Sequence, residues 1–368
     1  MKRVSKLGQN VLAAFLGTVL AAYGFAAEAD EPETLPALNH LVLIYREAAD
    51  YGRARHMAER ALGIVESQKL TETAEGANVF ANLGGIAEMQ GETANAKKWL
   101  GRALDIRERL LGPAHPQVAE ALSDLALAYS MEGRSETARG FYRRALAILE
   151  AAPDAKGGTL AAVLNNLGKM EGQEGHLKEA EAILRRSVRE SERVFGERHP
   201  NTAAGLVSLA EVLRLRHRYS GAGEVLHRAE EINRASFGAD HPRMARDLSL
   251  EGALAFDRKR YDEAEAAFER ALGILERSLP AGHREIGRAT ANLALVYLKE
   301  KRLEEAEGAY GRALTILEQT VGRENPELLP VMQQYSAVLR AREDFAGAAG
   351  LEARVMKIRV ARTLRGAA

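Results

Sequence analysis

Histidine is a residue type well suited to chemistry near neutral pH, and four of the nine histidines in this chain are spaced at multiples of 42 residues. His115, His199, His241 and His283 are separated by 84, 42 and 42 residues, and Asn325 stands one period further on. Regular histidines raise the question of a metal. An ion needs its ligands at roughly 2 Å, whereas one histidine per packed helical segment lies roughly 8–10 Å from the next. The spacing therefore opposes ligation. Pro116, Pro200, Pro242 and Pro326 follow four of the five positions. A capping side chain followed by a proline, whose fixed φ suits the first helical position, is how a helix begins. Capping is the better account of these histidines. His176, His217 and His227 fall in or near turns and are read as having no carboxylate partner at ligand spacing.

Other chemistries fare no better. With no cysteine in the chain, thiolate nucleophiles, thiolate zinc sites and disulfide frameworks are excluded. There is no glycine-rich phosphate loop, HExxH helix or nucleophile elbow. Carboxylates are abundant but read as exposed, where an unperturbed acid does little proton-transfer work. Neither catalysis, a cofactor nor a metal is expected. Fifty-one Lys+Arg balance fifty-one Asp+Glu, which leaves no basic excess to hold a nucleic-acid backbone.

The composition also specifies the kind of scaffold. Aromatics are 5% and charged residues 28%, with Ala, Leu, Glu and Arg dominant. Those are strong helix formers. At the N-terminus, Lys2, Arg3 and Lys6 precede an uncharged apolar stretch from Val11 to Phe25, then small residues and the acids Glu28, Asp30, Glu31 and Glu33. That order reads as a secretory leader over 1–26, cleaved after Ala26 or Ala29, followed by an acidic linker over 27–34. The apolar stretch is shorter than the roughly 20 residues a spanning helix needs. The expected location is outside the cytoplasm, periplasmic or secreted, with a bacterial envelope the natural setting and no membrane span in the mature chain.

The 42-residue period governs everything after the leader. Ala54, Ala96, Ala138, Ala180, Ala222, Ala264, Ala306 and Ala348 form an unbroken column. Twelve residues before each lies a second, mostly small column: Val42, Gly84, Ala126, Gly168, Ala210, Gly252, Ala294 and Ser336. Leucine precedes it at 41, 83, 125, 167, 209 and 293, while Glu251 and Tyr335 break the pattern. Each period reads as two helices. The first has apolar residues at helical spacing, such as Leu122, Leu125, Ala126 and Tyr129, and the second runs as in Glu304 to Glu318. Small residues at fixed positions let two antiparallel helices approach closely. Gly112, Gly196, Gly238 and Gly322, between periods, suit a left-handed helix C-terminus. The alternating Glu/Arg texture of the second helices reads as a solvated outer face.

Text such as LGPAHPQVAEALSDLALAYSMEGRSETARGFYRRALAIL, from Leu111 to Leu149, and NLALVYLKEKRLEEAEGAYGRALTILE, from Asn292 to Glu318, resembles the tetratricopeptide repeat family in its 42-residue, kinesin light chain-like form. The resemblance implies an all-α fold, a right-handed superhelical solenoid of antiparallel helix pairs over 35–366. It comprises about eight units: 31–72, 73–114, 115–156, 157–198, 199–240, 241–282, 283–324 and 325–366. It also implies a concave groove lined by first helices, offering Asn82, Asn165, Asn166 and Asn292 together with Arg214, Arg246, Arg288, Lys299 and Arg340. Further groove positions are Arg46, Glu88, Glu120, Asp124, Lys169, Ser208 and Gln334. An asparagine amide both donates to and accepts from an extended peptide, and the cations favour an acidic segment or a terminal carboxylate.

The functional expectation is an exported, non-enzymatic scaffold that holds a protein or peptide segment, with no nucleic acid among its partners. The alternative is a structural protein that self-associates through an uncapped last repeat, near Phe345, Leu351, Val355 and Ile358. Carbohydrate recognition is a weaker reading, because Trp99 is the single tryptophan in the chain.

Overall fold

The structure, a computed structural model, describes residues 34–47, 50–152 and 157–366. The expected leader and all of the expected acidic linker but Thr34 lie outside the described residues. Among the described residues there are sixteen α-helices, one short 3-10 turn and no strand. None of these helices is long and apolar enough to cross a membrane.

The chain divides after Val194 into two compact units. Unit 1 holds the pairs α1 (Leu35–Glu47) with α2 (Tyr51–Ser67), α3 (Ala74–Met89) with α4 (Thr93–Leu111), α5 (Pro116–Met131) with α6 (Ser135–Ala151), and α7 (Gly157–Gln173) with α8 (Leu177–Phe195). Unit 2 holds α9 (Pro200–Leu215) with α10 (Tyr219–Phe237), α11 (Pro242–Asp257) with α12 (Tyr261–Ser278), α13 (Arg284–Lys299) with α14 (Leu303–Val321), and α15 (Leu329–Ala341) with α16 (Phe345–Gly366). Successive first helices touch within each unit: α1, α3, α5 and α7 in one, α9, α11, α13 and α15 in the other.

The periodic columns become contacts. All eight column alanines, from Ala54 to Ala348, are fully buried. A Cβ added to Gly84 would stand 2.5 Å from Leu100 Cγ, one on Gly168 2.6 Å from Leu184 Cγ, and one on Gly252 2.7 Å from Phe268 Cε1. Glycine is required there because the partner helix's side chain already occupies the space. Around these contacts the apolar stripes close into cores, as where Leu122, Leu125 and Ala126 of α5 meet Tyr142, Ala145 and Leu149 of α6. Each fully buried large apolar side chain contributes about 1.5–3 kcal/mol.

The histidines cap helices. Nδ1 of His115, His199, His241 and His283 accepts from the backbone N–H of Gln117, Asn201, Arg243 and Glu285, at 3.2, 3.1, 3.2 and 3.3 Å. Asn325 Oδ1 accepts likewise from Glu327, at 2.9 Å. His176 departs from expectation: its Nδ1 lies 2.6 Å from buried Glu171, so this turn histidine does have a carboxylate partner. The glycines between periods also differ in detail. Gly112, Gly238 and Gly322 have positive φ but ψ of 154–165°, an extended region essentially reserved for glycine rather than the left-handed helical one. Left-handed φ appears at the turns inside the second to eighth pairs, at Gly91, Gly133, Gly175, His217, Lys259, Lys301 and Glu343, and at Lys69 between the first pair and the second.

The charged outer texture is more ordered than a merely solvated face. Arg144 pairs with Glu108, Arg186 with Glu150, Arg312 with Glu276 and Arg354 with Glu318, at 2.5–2.7 Å. Each of these joins the second helices of neighbouring pairs.

Candidate functional site

The first helices carry the functional candidates because the second helices bury one stripe and spend much of their outer charge on one another. In unit 1, Asn82 on α3 donates through Nδ2 to Asn39 Oδ1 on α1, at 2.8 Å. Arg46, one helical face further along α1, reaches across α3. Its guanidinium lies 3.2 Å from where a Cβ of Gly85 would stand, so a side chain at 85 would crowd it. Glu88 follows on α3 and Asp124 on α5, both half-buried.

These two carboxyls perturb the electrostatics of the face. Burial pushes Glu88 up to about 8; the Asp124 charge adds to this and Arg46 opposes it. Burial likewise raises Asp124 to about 7, with Glu120 adding and Arg107 and Arg46 opposing. Arg107 is held near them by Asn78 Oδ1, which accepts from it at 3.1 Å. Tyr142, fully buried on α6, is raised by burial and then by Glu88 and Asp124. Burial is the larger cause for both acids, and each has a further carboxylate that raises it, Asp124 for Glu88 and Glu120 for Asp124.

Four groups here have buried polar atoms with no protein partner: Arg46 Nε, Glu88 Oε1, Tyr142 Oη and Asn165 Oδ1. They come from α1, α3, α6 and α7. A buried polar atom left unpaired costs about 1–3 kcal/mol. The set mixes donors and acceptors, as the edge of an extended peptide does. Among the described residues no group of three or more His, Cys, Asp or Glu is placed to hold a metal.

The residues singled out from sequence divide sharply. Asn82 is tied to Asn39, Asn165 presents an unsatisfied oxygen, and Asn166 and Asn292 are half-buried. The basic residues of unit 2 are largely neutralised from within. Arg214 pairs with Asp257 at 2.6 Å, Arg288 with Glu327 at 2.8 Å and Glu285 at 3.3 Å, and Arg340 with Glu352 through two bonds of 2.8 and 2.7 Å. Arg246 and Lys299 are exposed and make no hydrogen bond or ion pair among the described residues. The coupled acids Glu88 and Asp124 carry the most perturbed chemistry on the first-helix face. Sequence reading places both on that face, but nothing in the residue order reveals that they share a buried environment.

The expected end face is also different in part. Leu351, Val355 and Ile358 are buried in a core shared with the preceding pair, while Phe345 is exposed as expected, together with Met356 and Val360 of α16.

Comparison with known proteins agrees with this architecture. No curated protein matches the chain. A Rap protein complexed with competence and sporulation factor is similar in structure, with a TM-score of 0.63 and 15% identity over 97% of this chain and 96% of that one. BtubC (BKLC) from P. vanneervenii gives a TM-score of 0.47 and 20% identity, covering 62% of this chain and 89% of that one. A variant of a putative kinesin light chain from Podosopora anserina, with nearly identical TPR-like repeats, gives 0.43 and 21%, covering 55% and 95%. The profile of the tetratricopeptide repeat family matches residues 73–151, 159–222, 204–277 and 285–359, more than half the sequence. With the helices of its described residues arranged in repeated pairs, the chain belongs to the tetratricopeptide repeat family.

Proposed function

We propose that this protein is an exported, non-enzymatic scaffold that holds an extended peptide or protein segment along the first-helix face of unit 1. One observation carries the reading: the unpartnered polar atoms of Arg46, Glu88, Tyr142 and Asn165 gathered on that unit. Glu88 and Asn165 accept hydrogen bonds from the segment's N–H groups or from a cationic side chain, and Arg46 donates to its carbonyls. Export is supported by the charged, apolar and small-residue order of residues 1–26. A similar fold serves the Rap protein in its complex with competence and sporulation factor.

Selection of a random peptide display library on the full-length chain tests this. Saturable binders should emerge that compete for one site and lose binding to the chain carrying both Asp124→Asn and Asn165→Ala. Absence of such binders, or binding indifferent to both substitutions, overturns the reading.

Two observations favour further readings. The exposed Arg246 and Lys299 favour an acidic segment on unit 2, which Arg246→Glu should release. The outward Phe345, Met356 and Val360 of α16 favour self-association, and light scattering that finds a strict monomer removes it.

A further inference from the structure

Two glutamates occupy columns that are otherwise apolar. Where a second helix meets the next first helix, the repeat places Leu62 with Leu83, Leu104 with Leu125, Leu146 with Leu167, Leu272 with Leu293, and Leu314 with Tyr335. Each of these pairs shares one hydrophobic core cluster. At the junction of α10 and α11 the same positions hold Glu230 and Glu251. Both helices lie in unit 2.

A cavity of about 240 Å³ opens at that junction, lined by both glutamates and by Tyr219, Leu226, His227 and Leu254. Its wall is apolar on one part, and on another it sets three carboxylates, Glu230, Glu251 and Glu263, against the two cations Arg258 and Arg260. Burial, and next the Glu251 charge, push Glu230 up to about 7. A neutral apolar guest leaves the carboxyls of Glu230 and Glu251 unsatisfied, and their charge opposes an anion. A divalent ion lacks the ligand set, since no group of three or more His, Cys, Asp or Glu among the described residues is placed to hold a metal. What fits both parts of the wall is a cation carried on an apolar stem. Arg258 and Arg260 also line the cavity, and Arg260 is engaged by Glu263 at 3.3 Å.

We propose that this cavity is a receptor site for an alkylammonium group, with the ammonium between Glu230 and Glu251 and the aliphatic stem against Leu226, Leu254 and Tyr219. A lysine side chain of a partner and a free aliphatic amine share this chemistry. The site is separate from the first-helix face of unit 1 and does not depend on it.

The experiment titrates n-butylammonium chloride into the full-length chain by calorimetry, with n-butanol as the neutral isostere. The same titration is run on the chain carrying Glu230→Leu and Glu251→Leu. That variant rebuilds the apolar pair of the other junctions, so its folding is not at risk. Butylammonium should bind saturably and butanol should not, and the double leucine variant should weaken binding at least about tenfold by removing both charged acceptors. A blocked Ala-Lys-Ala peptide forms a second arm: tighter binding than butylammonium assigns the site to a partner's lysine, weaker binding to a free amine. Absence of saturable binding by either ammonium probe, equal binding of butanol, or binding that survives in the leucine variant would overturn the proposal.

Discussion

Arg139 on α6 grips Glu171 on α7 through two hydrogen bonds, Nε at 2.6 Å and Nη2 at 3.0 Å, in a contact where Glu171 is only 1% exposed. It joins the third helix pair to the fourth. Burial acts to raise Glu171, but Arg139 and His176 outweigh it and hold the carboxyl below its ordinary range. The glutamate is therefore charged and buried, and it depends on its partner. Arg139→Met should cost about 3–5 kcal/mol in urea unfolding, because it leaves that buried charge with only His176 beside it. Adding Glu171→Met should recover most of the loss. A single substitution that costs under about 1 kcal/mol would mean the pair behaves as an exposed one.

Gly252 provides a second check, on the close approach of paired helices. A methyl group there meets the buried ring of Phe268, so Gly252→Ala should destabilise the chain by about 1–3 kcal/mol through overpacking. Gly308, in α14, has nothing within 4 Å of an added Cβ. Gly308→Ala should be stabilising by up to about 1 kcal/mol, as expected for an open helix position. The denaturation midpoints of the two variants should move in opposite directions.

The capping histidine His283 couples stability to pH. Only a neutral imidazole lets Nδ1 accept from the Glu285 N–H. Burial lowers the His283 pKa, with Arg284 assisting and Glu285 opposing. The folded value thus lies below the unfolded one of about 6.5, so its contribution is fully present above that pH and is lost as pH falls through the lowered value. His283→Asn should keep a cap worth about 1 kcal/mol, as Asn325 does naturally with Glu327. The variant should flatten the acid side of the stability profile, and urea midpoints measured across pH 5 to 8 check it.

Most of the fold was legible in the sequence because one period repeats through it. A buried alanine column and a mostly small column facing it leave little freedom in how two helices can cross. The site was less legible for a physical reason. The groups that neutralise Arg214, Arg288 and Arg340 lie 43, 39 and 12 residues away, on neighbouring elements and at offsets that no single ruler reveals. Burial of Glu88 and Asp124 depends on the packing around α3 and α5 rather than on residue order. Glu251 was visible as a break in the leucine column. Glu230 could have been found by the same 42-residue ruler, since Leu62, Leu104, Leu146, Val188, Leu272 and Leu314 share its column.

The central claim, that a peptide segment engages the shared acids of unit 1, is tested most directly by proton release on binding. Calorimetry of a selected peptide near pH 7, in buffers of different ionisation enthalpy, measures it. Glu88 and Asp124 start at about 8 and about 7, with Arg46, Arg107, Glu120 and Tyr142 around them. Donors from the peptide stabilise both carboxylates and lower those values, so protons should leave on binding. The release should vanish in the chain carrying Glu88→Gln and Asp124→Asn, with a loss of affinity. Binding whose heat is the same in every buffer, and whose strength those substitutions leave unchanged, would contradict the claim.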